Sequence, residues 1–228
     1  MGLSASVVET ISGSPWFSSL PPAEQSNLAA NSTLVRINVD ESLFRRGDPA
    51  DGFYGIVDGR LKASNVRSDG KEAILSILEP GNWFGEMSAI TGWPYAHDVI
   101  ALETAQVLKL PLEAFHACMQ SAAFAKLIAE LLAQHTGLLY QMLEDATLHS
   151  TRARIARRLV RLAHGDATLA AGNRSDIQVS QDTLAMMLGI SRQTLALELK
   201  EMASKGALAL RYGKVEIVSM DVLKSFDD

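Results

Sequence analysis

VSQDTLAMMLGISRQTLALELKEM, residues Val179–Met202, reads as two short helices joined by a tight turn. Ser180 stands at an N-cap position, and Asp182 falls in the first turn, where the helix dipole favours negative charge. Leu184, Ala185 and Leu188 recur at helical spacing and form a face to bury. Gly189 follows at once and can take the positive φ that stops a helix. Ser191 is a second N-cap. Beyond it, Leu195 and Leu199 lie four apart on one face, with Arg192, Gln193 and Ala196 opposite. A short, capped, polar-tipped helix braced by another fits the major groove of DNA. Spacing alone also suits any helical hairpin, and the sequence on both sides weighs against that plainer reading.

Downstream, Ala207–Val218 has two alternating runs around Tyr212-Gly213, the pattern of a β-hairpin. Arg211 and Lys214 would sit at its tip. Upstream, Thr151–Ala163 is a basic amphipathic helix with Ile155, Leu159 and Leu162 on one side and Arg154, Arg157, Arg158 and Arg161 around it. A polar loop over Gly165–Ser175 connects it to the helical pair, and Ser150-Thr151 marks a hinge.

The segment SQDTLAMMLGISRQTLALELKEMASKGAL resembles the DNA-binding segment of the CRP/FNR family of bacterial transcription regulators, LGISRQT being its most specific part. The resemblance implies a winged helix-turn-helix domain over 150–228. The DNA contacts would come from Ser180, Gln181, Ser191, Arg192, Gln193, Thr194, Arg211 and Lys214. Ser191 would donate to phosphate, Arg192 would make a bidentate contact to guanine, and Gln193 would read a base edge. Family members often carry Glu at the second of these positions and Arg four residues further on. Here Gln193 and Leu197 stand there, so a different base preference is expected.

A long helix is expected from about Ala122 to Leu148, after a short one opened by Pro111-Leu112-Glu113. Phe124, Ile128, Leu131, His135, Leu138 and Met142 follow the 4-3-4-3-4 rhythm of a two-stranded coiled coil. They are the expected seam of a parallel homodimer. Leu127, Leu132, Leu139 and Leu143 widen the stripe, as if one flank packed inside the subunit. The region 121–149 is therefore assigned as a dimerisation helix.

Between Ser32 and Pro111, short alternating runs alternate with turn signals at Gly47-Asp48, Asp58-Gly59, Asp69-Gly70 and Pro80-Gly81. The expected strands are Thr33–Val39, Ser42–Arg45, Gly52–Asp58, Arg60–Arg67, Glu72–Leu78, His97–Ala101 and Ala105–Leu110. They argue for a β-sandwich, barrel or roll. FYGIVDGRLKA and SDGKEAILSILEPGNWFGEMSAITGWP resemble the cyclic-nucleotide-binding β-roll of the same family, which places a sensor domain over 1–120. The fold class is thus α+β: an N-terminal double-stranded β-roll, a long dimerisation helix and a C-terminal winged helix-turn-helix.

By the same resemblance, Gly85-Glu86-Met87-Ser88 opens a short helix that cradles a cyclic phosphate, with Glu86 accepting from the ribose hydroxyl. Nucleotide-binding members place an Arg about ten residues later; Tyr95 stands there, followed by Ala96, and no Arg or Lys occurs between Lys71 and Lys109. One neutral phenol does not replace a bidentate guanidinium. The long helix of such members also gives hydroxyls to the base, where this chain has Leu139 and Tyr140. The effector site is therefore expected at Gly85, Glu86, Met87, Ser88, Tyr95, Ala96, Leu139 and Tyr140. Cyclic AMP in the usual pose is not expected there, and no cofactor is assigned.

Bulk properties narrow the alternatives. At 228 residues the chain suits two domains, and Cys118 alone provides neither a disulfide nor an iron–sulfur site. No signal peptide or membrane span is apparent, so a cytoplasmic location is expected. Residues 1–149 carry 9 Lys/Arg against 17 Asp/Glu, and residues 150–228 carry 12 against 9. The basic part is the expected contact for nucleic acid. The histidines at 97, 116, 135, 149 and 164 are scattered, and no metal or catalytic constellation emerges, so an enzyme is not expected. The expected partners are palindromic double-stranded DNA, a second copy of the chain and, through the family, RNA polymerase. Two rivals stay open: a true cyclic-nucleotide-dependent regulator with an altered phosphate site, and a ligand-binding module whose winged helix contacts proteins.

Overall fold

A computed structural model describes residues 5–166 and 174–227. The 165–175 loop lies largely outside the described residues. Compact packing divides the chain into two units, Met1–Asn65 with Ser76–Thr136, and Val66–Leu75 with Gly137–Asp228.

The first unit begins with helices α1 (Ala5–Ser12), α2 (Pro15–Ser18) and α3 (Pro22–Asn31). Strands β1 (Thr33–Ile37), β2 (Ser42–Phe44), β3 (Gly52–Asp58), β4 (Leu61–Val66), β5 (Glu72–Leu78) and β6 (Trp83–Phe84) follow. Helix α4 (Glu86–Thr91) precedes β7 (Asp98–Ala101), β8 (Ala105–Pro111) and α5 (Leu112–Cys118). The strands form two four-stranded sheets in the orders β1-β8-β3-β6 and β2-β7-β4-β5, the expected roll. Chain neighbours such as β1 and β2 fall in different sheets, which is how a roll winds its strands. Residues 66–75, from the end of β4 into β5, group with the second unit.

The alternating pattern of β8 explains its central place. Ala105, Val107, Leu108 and Leu110 are buried, and β8 pairs with β1 on one side and β3 on the other. Short β6 escaped the sequence pattern because Trp83-Phe84 is too brief to show alternation. Its Trp83 lies over Gly55, where an added Cβ would come within 2.8 Å of the ring. Only glycine leaves that space. Trp16 packs against Trp83 and Phe53 with ring centroids 5.0 and 5.4 Å apart, and its indole N–H donates to the Leu127 carbonyl at 3.0 Å.

That core reaches helix α6 (Ala122–Leu148) and changes the expected seam. Phe124, Ile128 and Leu131 are 0%, 1% and 0% exposed and belong to the core of the first unit. Burying each contributes about 1.5–3 kcal/mol, which a partner subunit would have to displace. The spacing Phe124, Ile128, Leu131, His135, Leu138, Met142 is real, but its first half faces inward. The large apolar residues left exposed on it are Leu139, Tyr140, Leu143 and Leu148, and Ala129 and Ala146 are exposed as well. Ala129, Leu132, Thr136, Leu139, Leu143 and Ala146 follow a second rhythm of three and four, rotated from the first. Two interleaved stripes are present, and periodicity cannot tell which one the sheet covers.

The second unit continues with α7 (Thr151–Ala163), β9 (Asp176–Ile177), α8 (Gln181–Leu188), α9 (Arg192–Ser204), β10 (Leu208–Arg211), β11 (Lys214–Ile217) and α10 (Met220–Lys224). Ile155, Ala156 and Leu159 of α7 are buried with Leu184, Leu195, Leu199 and Met202. Strand β11 pairs with both β10 and β9, so the hairpin gains a third strand. β9 is only two residues long and carries no period of its own.

Candidate nucleic-acid interface and effector pocket

Each helix of the α8–α9 pair starts at a serine whose hydroxyl accepts from the backbone N–H three residues on. Ser180 accepts from Thr183 and Ser191 from Thr194, both at 3.0 Å. Gly189 takes φ 67°, the left-handed conformation that turns the chain between them. Leu195, Leu199 and Met202 fix one side of α9 in the core. The opposite side therefore points outward, with Ser191, Arg192, Gln193, Thr194 and Leu197 all exposed.

Arg192 lies 3.4 Å from Asp182 of α8, an exposed pair that leaves the guanidinium accessible. Arg152 of α7 bonds Glu198 at 2.7 Å and also Glu201, bracing α9 from behind. These partners raise its pKa, the Glu198 hydrogen bond foremost. Arg154 of α7 donates to the Leu188 carbonyl at 2.6 Å, holding the end of α8. Thus two α7 arginines are structural braces. Leu197 is 71% exposed in the middle of the outward face, the only large apolar side chain among Ser191–Leu197 so displayed. Its position suits the C5-methyl of a thymine.

Arg211 and Lys214 flank the turn at Tyr212-Gly213, where Gly213 takes φ 70° and Tyr212 is fully exposed. Both cations already have carboxylate neighbours: Arg211 has Glu216 at 3.3 Å and Lys214 has Asp176 at 2.8 Å. Ser180 and Gln181 are half-buried at the start of α8.

In the roll, Gly85 enters α4 at φ 94°, and an added Cβ there would meet the Gly52 carbonyl at 3.1 Å. Glu86 then points inward, 5% exposed. Its Oε1 lies 2.8 Å from Nδ1 of His135 on α6, while its buried Oε2 has no hydrogen-bond partner. Met87 is exposed and Ser88 buried. Burial lowers the pKa of His97, with Glu86 and Asp98 pulling the other way.

Tyr95 is occupied internally. Its N–H donates to the Asp48 carbonyl at 3.0 Å and its own carbonyl accepts from Gly47 at 2.9 Å. Its ring stacks on Phe44 with centroids 3.7 Å apart. Its hydroxyl bonds Asp51 Oδ1 at 2.9 Å and accepts from the Asp51 N–H at 3.1 Å. Tyr54 and Lys109 also bond the Asp51 carboxylate. Burial alone would raise Asp51, but hydrogen bonds from Lys109, Tyr54 and Tyr95 hold its pKa below the ordinary carboxylate value. Burial raises both tyrosines, and the Asp51 bond raises Tyr54 further.

Of the sequence-assigned residues, Gly85, Glu86, Met87 and Ser88 fall together at the start of α4. Leu139 and Tyr140 lie on the second unit's part of α6, 63% and 70% exposed. Asp51, Phe44 and the His135 contact to Glu86 gave no sequence signal, since 44 residues separate Asp51 from Tyr95.

A roll followed by a helix-turn-helix with a three-stranded wing defines a class of ligand-sensing transcription regulators. Residues 34–122 match the model described as cyclic nucleotide-binding domain, and residues 153–226 match the Crp-like helix-turn-helix domain. The chain belongs to the CRP/FNR family of transcription regulators. It is 28% identical over 207 residues to the cyclic AMP receptor protein of Thermus thermophilus, covering 90% of this chain and 93% of that protein. The CRP-like cAMP-activated global transcriptional regulator of Mycobacterium tuberculosis is 25% identical over 180 residues, covering 78% and 80%. The structure of FixK2 from Bradyrhizobium japonicum superposes with a TM-score of 0.76 at 17% identity, covering 86% of this chain and 98% of that one. Among the described residues no helix is long and apolar enough to cross a membrane.

Proposed function

We propose that this regulator acts as a cytoplasmic homodimer on a two-fold symmetric DNA site, and that its roll does not take cyclic AMP in the usual pose. The observation that carries the second part is Tyr95. It stands where nucleotide-binding relatives place a phosphate-pairing Arg, and it is tied to Phe44 and Asp51 instead. A buried phosphate without a cation is strongly disfavoured, and Lys109, which shares Asp51 with Tyr95, is already committed to that carboxylate.

The outward side of α9 supports the DNA reading. Arg192 is assigned to guanine, Gln193 to a base edge, Ser191 and Thr194 to phosphate, and Ser180, Gln181, Arg211 and Lys214 to the flanking backbone. The stripe through exposed Leu139 and Leu143, with half-buried Leu132 beside it, is assigned to the dimer interface. Transcription control would proceed through RNA polymerase.

A second reading rests on Glu86. Its unpartnered buried Oε2 is suited to accept from a ribose hydroxyl, and two relatives carry cyclic AMP in their names. Calorimetric titration of the full chain with cyclic AMP decides between them. No heat of binding is expected; saturable binding would replace the first reading with the second.

A further inference from the structure

Within the second unit, the end of α6, α7 and the end of α8 line a half-open cavity of about 40 Å³, against the roughly 10–15 Å³ that one water needs. Met142 and Met187 form its apolar side; Asp145, Arg154, Arg158 and Arg161 form its polar side.

The guanidinium groups are not fully used. Arg158 is 2% exposed; its Nη2 donates to Asp166 at 2.8 Å and to the Leu75 carbonyl at 3.0 Å, but its Nε–H has no partner. Arg161 pairs through Nη1 with Asp145 at 2.6 Å, and its buried Nε–H is likewise unmet. Arg154 donates to the neutral Leu188 carbonyl at 2.6 Å. Asp145 also accepts from Arg157 at 2.5 Å, and Arg157 pairs with Asp227 at 3.0 Å. Four guanidinium groups (Arg154, Arg157, Arg158 and Arg161) thus face three carboxylates (Asp145, Asp166 and Asp227), an excess of one positive charge.

Unmet buried donors and an unbalanced charge are both costly. Water answers the first and not the second. A tetrahedral oxyanion answers both, against the repulsion of the buried Asp145 Oδ2 and Asp166 Oδ1, and planar guanidinium groups match its geometry. We propose that this cavity binds a small oxyanion of the phosphate or sulfate type, held by Arg154, Arg158 and Arg161. Asp145 opposes it and sets the ceiling on affinity. Burial pulls the proton affinity of Arg158 down against the pull of Asp166, and a bound anion acts in the same sense as Asp166. The occupant would join the end of α6 to α7 and to the last turn of α8.

The test is thermal unfolding and calorimetry of the full chain with inorganic phosphate, at ionic strength held constant with sodium chloride. A saturable rise in Tm that chloride does not reproduce is expected. Arg161→Gln should weaken phosphate binding about tenfold or more, as expected for a lost charged hydrogen bond. Asp145→Asn should strengthen it, the opposite of what a purely structural carboxylate would do. Arg192→Ala, on exposed α9, should leave it unchanged. Adenosine monophosphate binding as tightly as phosphate would assign a nucleotide's phosphate as the source; phosphate binding alone would assign the free ion. Crystals soaked in selenate should show anomalous density in the cavity even if the Arg161 variant fails to fold. No saturable shift beyond chloride, an effect lost in Arg192→Ala, or a selenate-free cavity would overturn the proposal.

Discussion

Asp51 gathers Tyr54, Tyr95 and Lys109 around one carboxylate, and the sign of its titration follows. Its folded pKa lies below the ordinary 3.8, so its contribution is present above 3.8 and lost as pH falls through the folded value. Asp51→Asn should therefore lower the urea midpoint at neutral pH, with the gap to the parent closing in acid. The raised tyrosines act at the other end: their contribution is intact below the ordinary value of 10.0 and lost as pH rises above it. Gly55→Ala should destabilise the roll by about 1–3 kcal/mol in denaturant unfolding, because the new methyl meets the Trp83 ring at 2.8 Å. On DNA, Arg192→Ala should cost about 1–3 kcal/mol of discrimination at one base pair, read from binding to single-base operator variants. The sequence showed Tyr95 where an Arg was expected, but not what Tyr95 does, because Phe44 and Asp51 approach it only through the winding of the roll.

Among the elements, α6 teaches most about the limits of periodicity. Its 27-residue span was legible, since apolar positions recur at helical spacing from Phe124 to Ala146 with no proline between them. Its inward face was not, because Phe124–Ile128–Leu131 and Leu132–Leu139–Leu143 are both good stripes. Trp16 and Phe115, packed near Phe124, settle the matter. Two variants separate the faces. Phe124→Ala should lower subunit stability by about 3–5 kcal/mol. Replacing Leu139 and Leu143 by Glu should leave the fold intact by circular dichroism and shift the chain to a monomer in sedimentation. The α8–α9 pair was legible almost to the residue because serine caps and a positive-φ glycine are local signals. Short β6, β9 and α10 were not: two residues cannot alternate, and the five of α10 fall short of two helical turns.

For the whole molecule, the roll, the long helix and the winged helix-turn-helix were readable together because each has its own pattern and the family resemblance spans most of the chain. We propose that they act together as a dimer presenting two copies of α9 to a symmetric site, with tyrosine in place of the usual phosphate partner of the roll. DNA affinity should fall steeply with salt as counterions are released, whereas a protein-contact module would show a shallow dependence. The central claim is tested most directly by selecting DNA from a random duplex pool with the full chain, alone and with cyclic AMP or cyclic GMP. An enriched two-fold symmetric sequence that appears without nucleotide, and is unchanged by either one, is the predicted result. A symmetric sequence enriched only with nucleotide, or no enrichment under any condition, would contradict it.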